Sequence, residues 1–254
     1  MELAFPRIDP AVSEVMSARG ALRVAEIRLG GVPRGAVIVL CDAGTGGQDA
    51  PGVMNALVEH GYESVAAVLP ASGAGSAATD HDLLEDVAAL LGRLAERGWS
   101  PDQVGLVGYG LGGRTALLAA AEFPLGAAVS VAPAGLTAAS GMLPALADAA
   151  RPVRTPWLGL FGEEDADAPA PAVLSLGASL AQSSAYTELV TYPGVARAFH
   201  DDAARDALAH AAAFDSWQRT VEWFDLRVVP RPTPLAQAWQ ERAAGTVQVA
   251  PSGA

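Results

Sequence analysis

The chain is predicted to fold as an α/β protein with a mostly parallel central sheet and helices on both faces. Three observations carry this. Short apolar runs alternate with segments of helical period, the pattern of successive βα units. The run at 36–40 (Ala-Val-Ile-Val-Leu) is apolar without interruption, as in a parallel strand covered on both sides. At 104–118 an apolar run passes through a glycine cluster directly into an Ala/Leu-rich helix. With 254 residues the chain can bury one full core of this kind. We expect a single domain over residues 1–228 and a C-terminal extension over 229–254.

Residues 1–19 read as an irregular lead-in. Residues 21–29 alternate apolar and polar, predicting a half-buried antiparallel edge strand. The strand 36–40 follows a turn at Pro33. A loop over 41–51, containing Gly44-Thr-Gly-Gly47, leads to a helix near 53–60 that ends at Gly61, then a strand at 64–69. A Gly/Ser/Ala loop at 71–78 precedes a helix capped by Thr79 or Asp80. Its apolar face carries Leu83, Val87, Leu90, Leu91 and Leu94, and it stops at Gly98. After the strand–turn–helix at 104–118 come a strand at 127–131, a long loop with a short helix through Asp148, a strand at 157–161, a helix at 170–182 and a strand at 187–191. A final helix over 206–225 places Phe214, Trp217, Val221 and Phe224 on one stripe. Beyond 229, Pro230, Pro232 and Pro234 and a short helix around Trp239 lie outside the βα repeat, a candidate contact surface for a second copy or a partner protein.

Composition narrows the function. The net charge is −12 and all sixteen basic residues are Arg, so clustered phosphate contacts and Lys Schiff-base chemistry are not expected. One cysteine, Cys41, makes no internal disulfide and no Cys-based zinc site; four scattered His show no metal-ligand spacing. We therefore expect no cofactor, no metal, no nucleic acid and no membrane, a small-molecule ligand, and a cytoplasmic location. Gly108-x-Gly110-x-x-Gly113 is not read as a dinucleotide fingerprint, because no acidic residue follows the next strand.

The glycine turn has the form of a nucleophile elbow, G-x-S-x-G, with Gly110 where the nucleophile belongs. In its wider frame, Val107-Gly-Tyr-Gly-Leu-Gly-Gly113 resembles the V-G-Y-C-L-G-G block of the dienelactone hydrolases, a branch of the α/β-hydrolase fold. Gly162-Glu-Glu-Asp165 is similar to that family's G-x-x-D, which carries the triad acid. Tyr192-Pro-Gly-Val-Ala-Arg-Ala-Phe-His200 resembles its Y-P-G-x-x-H-x-F block, and Val39-Leu-Cys-Asp-Ala43 a strand ending in His-Glu. The resemblance spans about residues 20–225. It places Gly110 at the nucleophile, Arg197 at the triad His, Asp165 at the acid and Asp42 at the active-site Glu. The backbone N–H groups of Ala43 and Leu111 fall at the oxyanion-hole positions.

Loss of a nucleophile or base costs on the order of a millionfold in kcat, about 8 kcal/mol of barrier. The family's covalent route is therefore not expected. Three readings remain. In the first, the pocket performs non-covalent cyclisation, isomerisation or elimination, of a kind found in secondary metabolism: Asp42 accepts a proton, Tyr109 donates a hydroxyl, and Arg197, paired with an ionised Asp165, polarises a carbonyl. In the second, the chain is a non-catalytic relative that binds a ligand or partner. In the third, it weakly hydrolyses an activated ester or lactone through water, with Asp42 or a displaced His200 as base.

Overall fold

In the computed structural model, residues 7–43, 50–69, 78–139, 142–197, 199–200 and 207–247 are described. The loops read at 44–47 and, up to residue 77, at 71–78 lie outside them. Eight strands form one sheet in the order β1-β2-β4-β3-β5-β6-β7-β8. β1 (Ala11–Ser17), β2 (Gly20–Ile27) and β4 (Tyr62–Leu69) pair antiparallel. β4, β3 (Gly35–Asp42), β5 (Val104–Tyr109), β6 (Ala127–Val131), β7 (Trp157–Gly162) and β8 (Thr187–Tyr192) run parallel.

The fold class follows the sequence expectation, with two corrections. The lead-in contains a strand, so β1 is the sheet edge and β2 is internal. β1 buries only Val15 and leaves Val12 and Met16 exposed, which is why its hydrophobicity gave no clear signal.

Both faces of β3 are buried, as its continuous apolar run requires. Its odd residues Val37, Val39 and Cys41 pack with Met54 and Leu57 of α1 (Ala50–Glu59) and Trp223 and Phe224 of α6 (Ala207–Arg227). Its even residues Ala36, Ile38 and Leu40 meet Leu83, Val87, Leu90 and Leu94 of α2 (Asp80–Glu96) and Ala116 and Ala119 of α3 (Leu111–Glu122). Cys41 thus faces the core.

Thr79 is the α2 cap. Its hydroxyl accepts the Asp82 N–H at 3.2 Å, and the Asp82 carboxylate accepts the Thr79 N–H at 2.7 Å, a reciprocal capping box. α4 (Leu146–Ala149) and α5 (Ala170–Leu180) complete the repeat. The α6 stripe holds for Val221 and Phe224 and partly for Trp217, but Phe214 is 64% exposed and the buried partner is Trp223.

Past α6 the chain straps across the end of the sheet where the parallel strands begin. The Val229 N–H donates to the Asp102 carbonyl and the Arg231 N–H to the Arg34 carbonyl. The Arg231 guanidinium lies 3.6 Å above the Trp99 ring. α7 (Pro234–Val247) follows, with Leu235 and Trp239 exposed.

Candidate active site

Ligands of open α/β sheets bind beyond the carboxyl ends of the strands, and there the predicted residues converge. Asp42 ends β3, Tyr109 ends β5, and Gly110 forms the turn into α3. Asp165 follows β7 and Arg197 follows β8.

Gly110 has φ 56° and ψ −115°, a left-handed geometry that a side-chain-bearing residue holds only at a cost of about 1–3 kcal/mol. The turn is fixed on both sides: the Gly110 N–H donates to the Val131 carbonyl, and the Gly110 carbonyl accepts from Arg114 and Ala134. Gly112 lets α3 lie against β3, since a Cβ there would stand 2.1 Å from the Leu40 carbonyl oxygen. Beside the turn, buried Ala132 adopts φ 44°, a second left-handed residue at the carboxyl edge. An alanine carries no sequence signal of that.

The Leu111 N–H, the first of α3, points to the Asp42 carboxylate, with Oδ2 at 3.4 Å. Asp42 is 8% exposed and Leu111 is buried. The helix N-terminus thus already holds a carboxyl oxygen where the resemblance places an oxyanion. The second donor is occupied: the Ala43 N–H donates to the Leu69 carbonyl at 3.2 Å, so Ala43 does not stand ready as an oxyanion donor. His200 is close to the elbow, its ring 5.2 Å from that of half-buried Tyr109, with Phe199 against its edge at 5.7 Å.

The expected Asp165–Arg197 ion pair is not formed. Arg197 pairs with Asp167 instead. The Asp167 N–H closes a tight turn onto Asp165 Oδ1 at 2.9 Å, which buries Asp165 and leaves the Asp167 carboxylate half exposed for the guanidinium. Asp165 is therefore not held in its ionised form by a direct salt bridge. Burial pushes its carboxyl above the usual range, against the Asp167 N–H and the Arg197 charge.

The sequence reading missed Arg114. Only 1% exposed, at the fourth position of α3, it binds Asp80 at the start of α2 through two 2.7 Å bonds, Nε to Oδ1 and Nη2 to Oδ2. The bidentate pair ties the elbow helix to its neighbour.

Eight mostly parallel strands, helices on both faces and a sharp strand–helix turn at the carboxyl edge define an α/β-hydrolase fold. The chain belongs to the dienelactone hydrolase family, whose model matches residues 31–227. It is 31% identical over 159 residues to a provisionally named carboxymethylenebutenolidase of Salmonella typhimurium, covering 60% of this chain. The match spans 57% of that relative's length. Among solved structures, a provisionally named dienelactone hydrolase from Klebsiella pneumoniae superposes with a TM-score of 0.71 at 24% identity, over 85% of this chain and 98% of that one. Esterase 2 of Thermogutta terrifontis superposes with a TM-score of 0.69 at 15% identity, over 92% of this chain and 100% of that one.

These relationships correct the functional expectation. Family, named relatives and structural neighbours are all of hydrolase or esterase type, and none supports a cyclase, isomerase or lyase, a role in secondary metabolism, or a non-catalytic binder. No helix among the described residues is long and apolar enough to cross a membrane.

Proposed function

We propose that this chain hydrolyses a small ester or lactone, with water rather than a side chain as the nucleophile. Family membership supports the hydrolytic class, and Gly110, whose side chain is a single hydrogen, supplies no elbow atom to attack a carbonyl. The single observation that carries the route is the Asp42 carboxylate lying on the Leu111 N–H. A substrate carbonyl oxygen entering that position takes the N–H and leaves Asp42 beside the carbonyl carbon. Water then attacks the carbon and gives its proton to Asp42. The oxyanion rests on the Leu111 N–H, the C–O bond to the leaving alcohol breaks, and Asp42 returns the proton to the alkoxide. His200 is a second candidate base because its ring reaches Tyr109, the residue before the turn.

The test is turnover of 4-nitrophenyl acetate and γ-butyrolactone with intact-mass spectrometry. Wild type is expected to turn over without a covalent adduct. Asp42→Asn is expected to lose about 10²- to 10⁴-fold in kcat, the usual scale for a general base. Gly110→Cys, as comparator, is expected to accumulate an acylated protein. An adduct on the wild type, or full activity in Asp42→Asn and His200→Ala alike, would refute the route.

A further inference from the structure

The hydrolytic step above makes no use of Asp165, although this is the most deeply placed carboxylate at the carboxyl edge beyond β7. Its residue is 5% exposed, and Oδ1 is committed to the Asp167 N–H. Oδ2 is buried and meets no hydrogen-bond donor among the described residues. Buried carboxylate oxygens nearly always find a donor, so an open one marks a position where a donor arrives from outside. The neighbouring cation does not fill it, because the Arg197 guanidinium is turned to Asp167.

Charge around this oxygen narrows the visitor. Glu163, Glu164, Asp165 and Asp167 lie close together in sequence just after β7, where Arg197 is paired with Asp167. The balance is negative, and an incoming carboxylate is repelled where a neutral donor is not. The identity of the occupant then follows from the chemistry on the page: a hydroxyl supplies the missing hydrogen bond without adding charge to a buried place.

The geometry points to Asp165 Oδ2 as a specificity-determining acceptor for a substrate hydroxyl, selecting uncharged, hydroxyl-bearing esters or lactones over deoxy and carboxylate-bearing counterparts. The inference rests on the hydrolytic reading for the nature of the ligand. A site built to receive a hydroxyl rejects the analogue that lacks it, because the acceptor is then left unpaired. For one acceptor oxygen we expect roughly tenfold to a hundredfold discrimination.

The experiment compares α-hydroxy-γ-butyrolactone, γ-butyrolactone and γ-carboxy-γ-butyrolactone with the full chain and with Asp165→Ala, by kcat/KM and by ligand-induced shift in Tm. In the wild type the hydroxylated lactone is expected to lead by about tenfold or more, chiefly through KM, with the carboxylated one last. In Asp165→Ala the ratio of hydroxylated to deoxy lactone falls to about one. Equal kcat/KM and equal Tm shifts for the hydroxylated and deoxy lactones in the wild type overturn the inference, whether or not the variant folds. So does a preference that survives in a folded Asp165→Ala. If no lactone is hydrolysed, the hydrolytic reading fails, and the order of the wild-type Tm shifts alone decides the role of Asp165.

Discussion

Removing the Asp80 carboxylate strands a guanidinium inside the protein. Arg114 is 1% exposed and gives two of its N–H groups to Asp80 at 2.7 Å. Breaking a buried pair from one side costs about 3–5 kcal/mol, because the remaining charge has neither partner nor water. The Asp80 side chain is 20% exposed, so water enters beside it and the lower figure, about 3 kcal/mol, applies. In a chain of this size each kcal/mol moves Tm by about 2–4 °C, so Asp80→Ala should melt about 6–12 °C below wild type. Paired buried ions lie near break-even against apolar side chains of similar volume. The double variant Asp80→Ala/Arg114→Met should therefore recover to within about 1 kcal/mol of wild type. The assay is thermal unfolding by far-UV circular dichroism for the two single variants and the double, at low and high salt, since a buried pair is little screened. A drop of less than about 3 °C in Asp80→Ala, or a double variant as unstable as the sum of the singles, would refute the reasoning.

Two further outcomes test the packing and the electrostatics. Gly112→Ala drives a Cβ to 2.1 Å from the Leu40 carbonyl and should cost about 3 kcal/mol or more in urea unfolding, whereas Gly92→Ala meets nothing within 4 Å and should gain about 1 kcal/mol; equal effects would show that the α3–β3 contact is not tight. For Glu26, burial raises the pKa, but hydrogen bonds from Arg93 at 2.8 Å and Arg28 at 2.7 Å outweigh it and hold the carboxyl below its ordinary value. The unfolded state then takes up the proton first, so this stability is present above about pH 4.3 and is lost as pH falls through the folded pKa. Glu26→Gln should flatten the acid limb of a Tm-against-pH curve, and an unchanged limb would refute the assignment.

The parallel core was legible because strands buried on both faces and helices with one apolar stripe leave opposite periodicities in the chain. Thr79, Gly61 and Gly98 stand out as punctuation for the same physical reasons that place them in the structure, a cap at 79 and left-handed turns at 61 and 98. β1 was not legible, since an edge strand that buries one residue out of seven has little pattern to show. Phe214 was misplaced because the buried face of α6 runs through Ala209, Ala212, Ser216, Thr220 and Trp223, mostly small or polar residues that leave little apolar signal, and Phe214 lies off that face. At the site, residue identities located Asp42, Gly110 and Asp165 at the right end of the sheet. The partner of Arg197 was not legible, because it depends on a turn that buries Asp165 and offers Asp167 two residues later. The engagement of the Ala43 N–H by Leu69 and the left-handed Ala132 are backbone properties of residues with no telling side chain.

The strap at Val229–Arg231 has a practical corollary. It is pinned to Asp102 and Arg34, which precede β5 and β3, while Asp42 ends β3 and Gly110 follows β5 at the opposite edge. A strand of six to eight residues spans roughly 20–26 Å, so that distance separates the two regions. A fluorophore or surface tether attached near Val229 would thus sit at the opposite end of the sheet from the candidate site, and the hydrolysis proposed above should run as readily in immobilised protein as in free solution.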